Sequence, residues 1–396
     1  MKFQIKGVNN FNVNDIVINK INTKNITIFP VYRDDIKNKK EEIDKLEDSE
    51  IWDKMKKIGN PYELIYTTYN KKRKNDSISN YMPISRSYFK LWEIFFNFNL
   101  FEKNKNKFYS FSHLAEGPGG FMEATYNYMN YLNKNDNYYY GITLKPNNEH
   151  VPDWNKIKKI FKDTKKININ YGNLYKIDDV RKYLKNFTKK KADLVTADGG
   201  FDYSKDFNGQ EDNSSQIIYS EIAIALNILE KNGCFIVKIF DMFSLNTIQL
   251  IKILSINFEK VFIYKPETSR PANSEKYIVC INYLDLLDKS DKENLLLLIE
   301  KWDNIEFDDN SSLIFKNIKI ENSFIHNLDG FNNEYLINQK YYLNKTIELI
   351  QKKPCKNEYY KIIKDQVDIA IAWCKKYNID INKNSIYYKK NYELEI

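Results

Sequence analysis

A lysine inside an apolar strand is the first residue of this sequence whose type and position suggest chemistry. Lys238 interrupts the run CFIVKIFD, which otherwise has the pattern of a buried β-strand. Removing an ammonium group from water is costly unless the group is paired or used. The alternative is a lysine that points outward from an edge strand, but the apolar run around it favours a central strand. Lys238 is therefore a candidate catalytic residue.

Two carboxylates and a second lysine occupy positions from which they could reach Lys238. Asp198 ends the strand-like run ADLVTADGG, and Glu275 comes just before the last predicted strand. Lys90 lies on a helical run with an apolar face, SRSYFKLWEIFF. Taken singly, the two acids are typical of capping or loop carboxylates, and Lys90 is typical of a solvent-facing helix residue. The hypothesis of a catalytic site depends on all four residues together.

A glycine-rich turn is a candidate ligand-binding site. An apolar run at 108–115 meets Glu116 and then Gly117-Pro118-Gly119-Gly120, and a helical pattern follows. Glycines between a strand and a helix let the backbone approach a ligand closely, and the helix N-terminus favours anionic groups. A tight turn without a ligand is the alternative, because a single glycine turn has low specificity.

The elements that must position these residues alternate along the chain. Strand-like runs occur at 108–115, 138–144, 167–171, 193–198, 234–240, 259–264 and 276–283, and helical runs at 120–132, 155–163, 177–187, 214–231 and 245–256. This alternation predicts an α/β fold with a doubly wound, mostly parallel sheet of seven strands. Ligands of such sheets bind beyond the carboxyl ends of the strands. The last strand follows the sixth without room for a crossover helix, which predicts an antiparallel pair.

The segment before this region has a mixed pattern. Short strand-like pieces at 11–18 and 26–32 precede a charged, helix-like and exposed segment at 34–50. Apolar residues then recur at helical spacing over 52–69. The basic run Lys-Lys-Arg-Lys at 71–74 is a candidate for phosphate contact, with a solvated loop as the alternative.

The segment after about residue 286 is predicted to be mainly helical. KENLLLLIEKW has the pattern of one helix, and 358–377 has the pattern of another with an apolar stripe. We therefore predict an N-terminal extension (1–79), a central α/β domain (80–285) and a helical C-terminal extension (286–396). The sequence contains no internal repeat.

Composition narrows the class of protein. Hydrophobic residues make up 42% of the 396, enough for a sizeable core, and 61 Lys and Arg against 53 Asp and Glu give a net charge of +8. This excess is compatible with a polyanionic partner and also with lysine-rich solvated surfaces. Four cysteines without a CxxC pair and three scattered histidines predict neither a disulfide framework nor a metal site. Without an apolar membrane span or signal peptide, we expect a soluble protein of the cytoplasm, including a viral factory or virion, with the nucleus as alternative.

Five motifs in one order give the sequence a family resemblance. SRSYFKLWEI, LAEGPGGF, LVTADGG, FIVKIFD and KPETSRPANSEKYIVC, spread over roughly 80–285, resemble the FtsJ-type ribose 2′-O-methyltransferases. Within that family they look most similar to the cap-specific mRNA branch, especially the versions encoded by large DNA viruses of eukaryotes. The resemblance implies a Rossmann-like class I methyltransferase fold and S-adenosylmethionine as the cofactor.

The resemblance also implies roles for residues by their place in the motifs. The implied catalytic tetrad is Lys90, Asp198, Lys238 and Glu275. The implied cofactor contacts are Glu116, Gly117, Pro118, Gly119, Gly120, Phe121, Thr143, Asn173 and Asp198, and the implied substrate contacts are Arg270, Asn273 and Ser274. Two positions depart from patterns that are common in methyltransferases. The strand 138–144 offers Thr143 and no carboxylate at its end. Gly172-Asn173 stands where ribosomal-RNA enzymes of the family commonly have Gly-Asp.

The implied reaction gives each tetrad residue a chemical reason. Methyl transfer from a sulfonium is an in-line displacement that needs an aligned nucleophilic oxygen. A ribose 2′-OH is a poor nucleophile, so we expect Lys238 to act on its proton, with a pKa lowered by Lys90 and by partial burial. Asp198 and Glu275 are expected to orient the two ammonium groups.

The function that the resemblance implies is 2′-O-methylation of RNA, at the first or second transcribed nucleotide of capped mRNA. The alternatives are methylation of ribosomal or transfer RNA, and a catalytically silent RNA-binding subunit of an mRNA-processing complex. The expected partner is RNA, with other capping or transcription proteins as further candidates and no membrane.

Overall fold

A mixed β-sheet forms the centre of the computed structural model. The structure describes residues 2–5, 18–21, 26–45, 49–67, 76–101, 109–146, 153–162, 166–200, 209–303, 312–315 and 318–392. In chain order the elements are β1 (Lys2–Ile5), β2 (Ile18–Ile21), α1 (Pro30–Asp44), α2 (Ser49–Ile58), α3 (Ser87–Phe98), β3 (Ser110–Leu114), α4 (Gly120–Tyr131), β4 (Tyr138–Thr143), α5 (Asn155–Ile160), β5 (Ile167–Tyr171), α6 (Ile177–Leu184), β6 (Ala192–Ala197), α7 (Gln210–Ile228), β7 (Leu229–Ile239), α8 (Leu245–Asn257), β8 (Phe258–Tyr264), β9 (Lys276–Tyr283), α9 (Lys289–Asp303), β10 (Ser312–Phe315), α10 (Asn322–Lys352), α11 (Lys356–Lys376) and α12 (Ile386–Tyr392), with 3₁₀ helices at Glu63–Ile65 and Lys185–Phe187.

The main sheet has eight strands in the order β1-β8-β9-β7-β6-β3-β4-β5. Strands β3 to β7 pair in parallel, whereas β9 is antiparallel to both of its neighbours, β7 and β8. The predicted α/β fold and its antiparallel last strand are therefore confirmed. The eighth strand is β1, which pairs antiparallel with β8 at the edge. The sequence pattern did not predict β1, because four residues are too few for a recognisable alternation.

Apolar side chains cover both faces of the sheet. Along β7, Phe235 and Val237 belong to the core on the α7 and α8 face, and Ile236 belongs to the core on the α3 and α4 face. This alternation is expected for a strand that is buried on both sides. Strand β7 is central in the sheet, as the apolar run around Lys238 indicated.

The N-terminal flank differs in part from its predicted pattern. The strand predicted at 26–32 is wrong, because Thr27 makes only an isolated bridge to Ser244 and Pro30 begins α1. Proline suits the first turn of a helix, since its φ is already helical and the amide hydrogen it lacks would have no partner there. The helix predicted over 52–69 ends at Ile58, just before Gly59. Nearly all of the strand-like piece at 11–18 and the whole basic run at 71–74 lie outside the described residues.

The C-terminal flank contains the two predicted helices, as α9 and α11, and two that were not predicted, α10 and α12. Helix α10 spans 31 residues and buries a stripe that includes Phe324, Leu328, Phe331 and Tyr335. It packs against α1, α2 and β1, while α11 packs against the Glu63–Ile65 helix. The two flanks therefore contact each other, and they contact the central region through β1 on β8 and α9 on α7. The division into three parts stays a prediction. Within the ranges described here, no helix has the length and apolar character needed to cross a bilayer.

Candidate functional site

The four predicted catalytic residues meet on one face of the sheet, as two ion pairs. Lys90 Nζ lies 2.6 Å from Glu275 Oε1. Lys238 Nζ lies 3.2 Å from Asp198 Oδ1 and donates a hydrogen bond to the carbonyl oxygen of Asp198 at 2.8 Å. The four side chains are between 11% and 15% exposed. They form a partly open group of alternating charge at the carboxyl end of the parallel strands.

The alternation of side chains along the strands explains why these residues share a face. Ile236 of β7 and Leu194 of β6 contact the core on the α3 face. Lys238 and Asp198 follow them by an even number of residues and so point the same way. Tyr277 of β9 pairs with Lys238 across the sheet and contacts the same core, and Glu275 lies two residues before it. Helix α3 covers this face and carries Lys90.

Glu275 is the carboxylate that holds the cations together. Burial would raise its pKa, but the positive charges of Lys90, Lys238 and Lys265 outweigh burial and hold the pKa at about 2. The hydroxyl of Ser269 also donates to Glu275 Oε1, at 2.8 Å. Glu275 is therefore ionised throughout the neutral range.

The pKa of Lys238 is raised, which corrects the prediction of a lowered value. Burial does lower it, but the charges of Asp198 and Glu275 and the hydrogen bond to Asp198 outweigh burial. The prediction was wrong because it counted burial and a neighbouring lysine and omitted the two carboxylates. The resting form of Lys238 is the ammonium.

Three residues around the tetrad were missed at the sequence level. Tyr277 donates its hydroxyl hydrogen to Asp198 Oδ1 at 2.9 Å, and its even spacing from Glu275 could have revealed it. Ser269 lies in the loop motif KPETSRPANSEKYIVC itself. Glu221, on the apolar helix α7, accepts a hydrogen bond from the Gly199 N–H at 3.1 Å, and burial raises its pKa to about 8. The sequence signal that could have revealed Glu221 was an acidic residue within an apolar helical run.

The glycine turn lies at the end of β3, beside the tetrad. Gly119 has φ +113°, a backbone conformation that side chains with a Cβ rarely adopt. At Gly120, an added Cβ would lie 2.1 Å from Ser85 Oγ, so the start of α4 packs closely on the segment before α3. Pro118 lies between these glycines and Gly117, and Phe121 is fully buried. Gly119 and Gly120 are buried and Gly117 and Pro118 are half-buried, so the turn places glycine backbone with few side-chain atoms at the strand end.

Glu116 is a buried carboxyl group with one oxygen available to a ligand. Its Oε1 accepts a hydrogen bond from the Phe121 N–H. Its Oε2 is buried and has no hydrogen-bond partner in the part of the chain that the structure describes. Burial, followed by the charge of Asp198, raises the pKa of Glu116 well above its usual range. A buried polar oxygen without a partner is costly, and a ligand that donates a hydrogen bond would remove that cost.

The ends of β4 and β5 continue the site away from the tetrad. Thr143 Oγ1 accepts a hydrogen bond from the Gly117 N–H at 3.2 Å, and Thr143 O accepts from the Gly172 N–H at 2.9 Å. Asn173 donates its N–H to Asp179 Oδ2 at 2.8 Å, while its side-chain oxygen accepts from the Tyr175 N–H. The edge thus combines a carboxyl group, glycine backbone, a hydroxyl and an amide, which suits a ligand with amino and hydroxyl groups.

The three predicted substrate contacts already have partners within the protein. Arg270 binds both oxygens of the buried Glu63, at 3.0 and 3.1 Å. The Asn273 side-chain oxygen accepts from Lys265, and Ser274 donates to Gln210 Oε1 at 2.8 Å. Their contact with a substrate stays a prediction, and the structure shows that they also shape their own loop.

The family model described as FtsJ-like methyltransferase matches residues 83–283. Among curated proteins, the chain is similar to the cap-specific mRNA (nucleoside-2′-O-)-methyltransferase 1 of Drosophila melanogaster, at 32% identity over 179 residues, covering 43% of this chain and 22% of that protein. The human protein of the same name is 28% identical over 235 residues, covering 56% of this chain and 27% of the relative.

A relative with a second cap-specific name covers a similar share of this chain. The cap-specific mRNA (nucleoside-2′-O-)-methyltransferase 2 of Drosophila melanogaster is 29% identical over 226 residues, covering 53% of this chain and 31% of that protein. The match spans less than a third of each of these three relatives.

Proposed function

This chain belongs to the FtsJ-like methyltransferase family, and on that premise we propose that it is an S-adenosylmethionine-dependent RNA 2′-O-methyltransferase that modifies the first or second transcribed nucleotide of capped mRNA. The observation that carries the proposal is the double ion pair of Lys90 with Glu275 and Lys238 with Asp198, beside the glycine turn. The names of the relatives, all cap-specific for mRNA, support the choice of substrate. Other capping or transcription proteins as partners stay a prediction.

The residues of the glycine turn fit the proposed cofactor. S-adenosylmethionine, when bound, supplies a methyl group on a positively charged sulfur. Glu116 offers to the donors of such a ligand a buried oxygen that has no hydrogen-bond partner among the described residues. Glycine backbone at 117–120 permits close approach, and Thr143 and Asn173 lie at the next two strand ends.

Lys238 is proposed to handle the proton of the ribose 2′-OH. Its ammonium is held in one orientation by the carbonyl and the carboxylate of Asp198. Because the resting form is charged, Lys238 must release a proton before it can accept one from the hydroxyl. Another positive charge placed nearby would favour that release. Proton transfer by a positioned group typically contributes ~10²–10⁴-fold to rate.

Lys90 and Glu275 are proposed to position the ribose and to balance the positive charges of the site. Their 2.6 Å ion pair fixes a second ammonium on the same face. Glu275 also attracts Lys238, so it keeps two like-charged lysines close to one another. Without that carboxylate, the two ammonium groups would repel each other.

The proposal is tested by transfer of a radiolabelled methyl group from S-adenosylmethionine to three RNAs of one sequence. The first RNA is capped, the second is capped and already 2′-O-methylated on the first nucleotide, and the third is uncapped. Label on capped RNA alone supports the first nucleotide as target. Label on the premethylated RNA indicates the second nucleotide, and equal label on uncapped RNA would contradict the cap assignment.

A further inference from the structure

The loop that carries Glu275 is held by a helix far away in the sequence. This loop, residues 265–275, connects β8 to β9. Tyr335 of α10 donates its hydroxyl hydrogen to the carbonyl oxygen of Asn273. Gln339, one turn later, donates from Nε2 to the carbonyl oxygen of Ala272 at 3.2 Å. Both side chains are buried, Tyr335 at 2% and Gln339 at 0% exposure.

Two lysines at the ends of this loop, Lys265 and Lys276, make further contacts in the same region. Lys276 Nζ lies 3.9 Å from the centroid of the Tyr335 ring, a distance at which a cation and an aromatic face attract. Lys265 Nζ donates to the carbonyl oxygens of Asn273 and Glu275, at 3.0 and 2.6 Å. Through both its ring and its hydroxyl, Tyr335 therefore contacts the segment that sets the direction of the Glu275 side chain.

From this arrangement we propose that α10 positions the catalytic tetrad, with Tyr335 and Gln339 as positioning residues that keep Glu275 beside Lys90. The functional half of this statement rests on the proposed methyltransferase activity. Helix α10 belongs to the segment after residue 286, which shows no catalytic motif of its own. Its contribution is to fix two carbonyl groups of the loop within three residues of Glu275.

The chain offers a matched pair of substitutions on one helix. Tyr335→Phe removes only the hydroxyl, so the ring keeps its contacts with Lys276 and with Phe331, whose ring centroid lies 5.8 Å away. Tyr341→Phe makes the same chemical change on the exposed side of α10, where the side chain is 59% exposed. Gln339→Met removes the second donor and serves as an independent variant.

The first measurement is amide hydrogen exchange across 265–276, which does not depend on activity. Within the loop, the amides of Ser269 and Asn273 donate to the carbonyls of Pro266 and Arg270. We expect these amides to exchange about tenfold faster in Tyr335→Phe and in Gln339→Met than in Tyr341→Phe, since losing one hydrogen bond weakens a local structure by about that factor. Unchanged exchange in both test variants would overturn the proposal.

The second measurement is single-turnover methyl transfer to capped RNA, with equilibrium binding of S-adenosylmethionine in parallel. Tyr335→Phe is expected to slow transfer about tenfold while cofactor affinity and the melting temperature stay near those of Tyr341→Phe. Faster exchange with unchanged transfer would overturn the positioning role, and so would a loss that merely follows a lower melting temperature. If the wild-type protein methylates none of the RNAs, the proposed function fails, whereas hydrogen exchange still decides whether α10 holds the loop.

Discussion

Lys238 is bound to Asp198 twice, through the backbone carbonyl at 2.8 Å and through the carboxylate at 3.2 Å. A single residue at the end of β6 thus fixes both the position and the charge of the ammonium on β7. The role of Lys238 can therefore be tested by its substitution and by the pH dependence of methyl transfer.

Lys238→Ala is expected to lower methyl transfer by ~10²–10⁴-fold, because the group that handles the 2′-OH proton is lost. Binding of S-adenosylmethionine should persist, since Glu116 and the glycine turn lie on other elements. Transfer assays and equilibrium dialysis measure the two effects separately. Lys260→Ala, at an exposed position on β8, is the control. Retained transfer in Lys238→Ala would contradict the assigned role.

The rate of methyl transfer should rise with pH across the neutral range. The folded pKa of Lys238 lies above its usual 10.5, so the neutral amine is scarce at pH 7 and increases as the pH rises. If this amine accepts the proton, the single-turnover rate increases with pH between pH 7 and 9, by about tenfold per unit for as long as the ammonium predominates. A flat profile over that range would show that Lys238 acts as an ammonium and not as a base.

Glu275→Gln should destabilise the protein in a pH-dependent manner. The carboxyl pKa is about 2 in the fold against an ordinary 4.5, a difference that corresponds to roughly 3 kcal/mol. This stabilisation is complete above about pH 5 and is lost as the pH falls through 4.5 toward 2. Urea unfolding of both proteins from pH 6 to pH 3 measures it. A gap between wild type and variant that stays constant over that range would rule out the ion pair as its source.

Gly119→Ala and Gly330→Ala should have opposite effects on stability. At Gly119 the positive φ and an Ile157 Cβ only 2.9 Å from the added methyl group make alanine unfavourable, at a cost of about 1–3 kcal/mol. At Gly330, within α10, no described atom lies within 4 Å of the added Cβ, so alanine should stabilise the helix by about 0.5–1 kcal/mol. Thermal unfolding measures both, and weaker cofactor binding is expected in Gly119→Ala alone. Equal effects at the two glycines would argue against a special backbone conformation in the turn.

The central fold was within reach of the sequence, because apolar runs identify its strands. The tetrad was within reach through the family resemblance of its motifs, since its acids and Lys90 taken singly are typical of capping, loop or surface residues. The pKa of Lys238 was out of reach, since its direction depends on how closely two carboxylates from other strands approach. Tyr335 was also out of reach, because it lies 62 positions from Asn273 and no local pattern marks it.

The spacing of the tetrad along its strands limits how this protein can vary in length. Lys238 points toward α3 because it follows the inward-facing Ile236 by two residues. Deleting or inserting one residue between them would turn the lysine toward α7, into the apolar core around Val237. Loops between the strands can gain or lose residues without this penalty. Indels in related chains should therefore be excluded from the last residues of β6 and β7, even where the amino acids themselves vary.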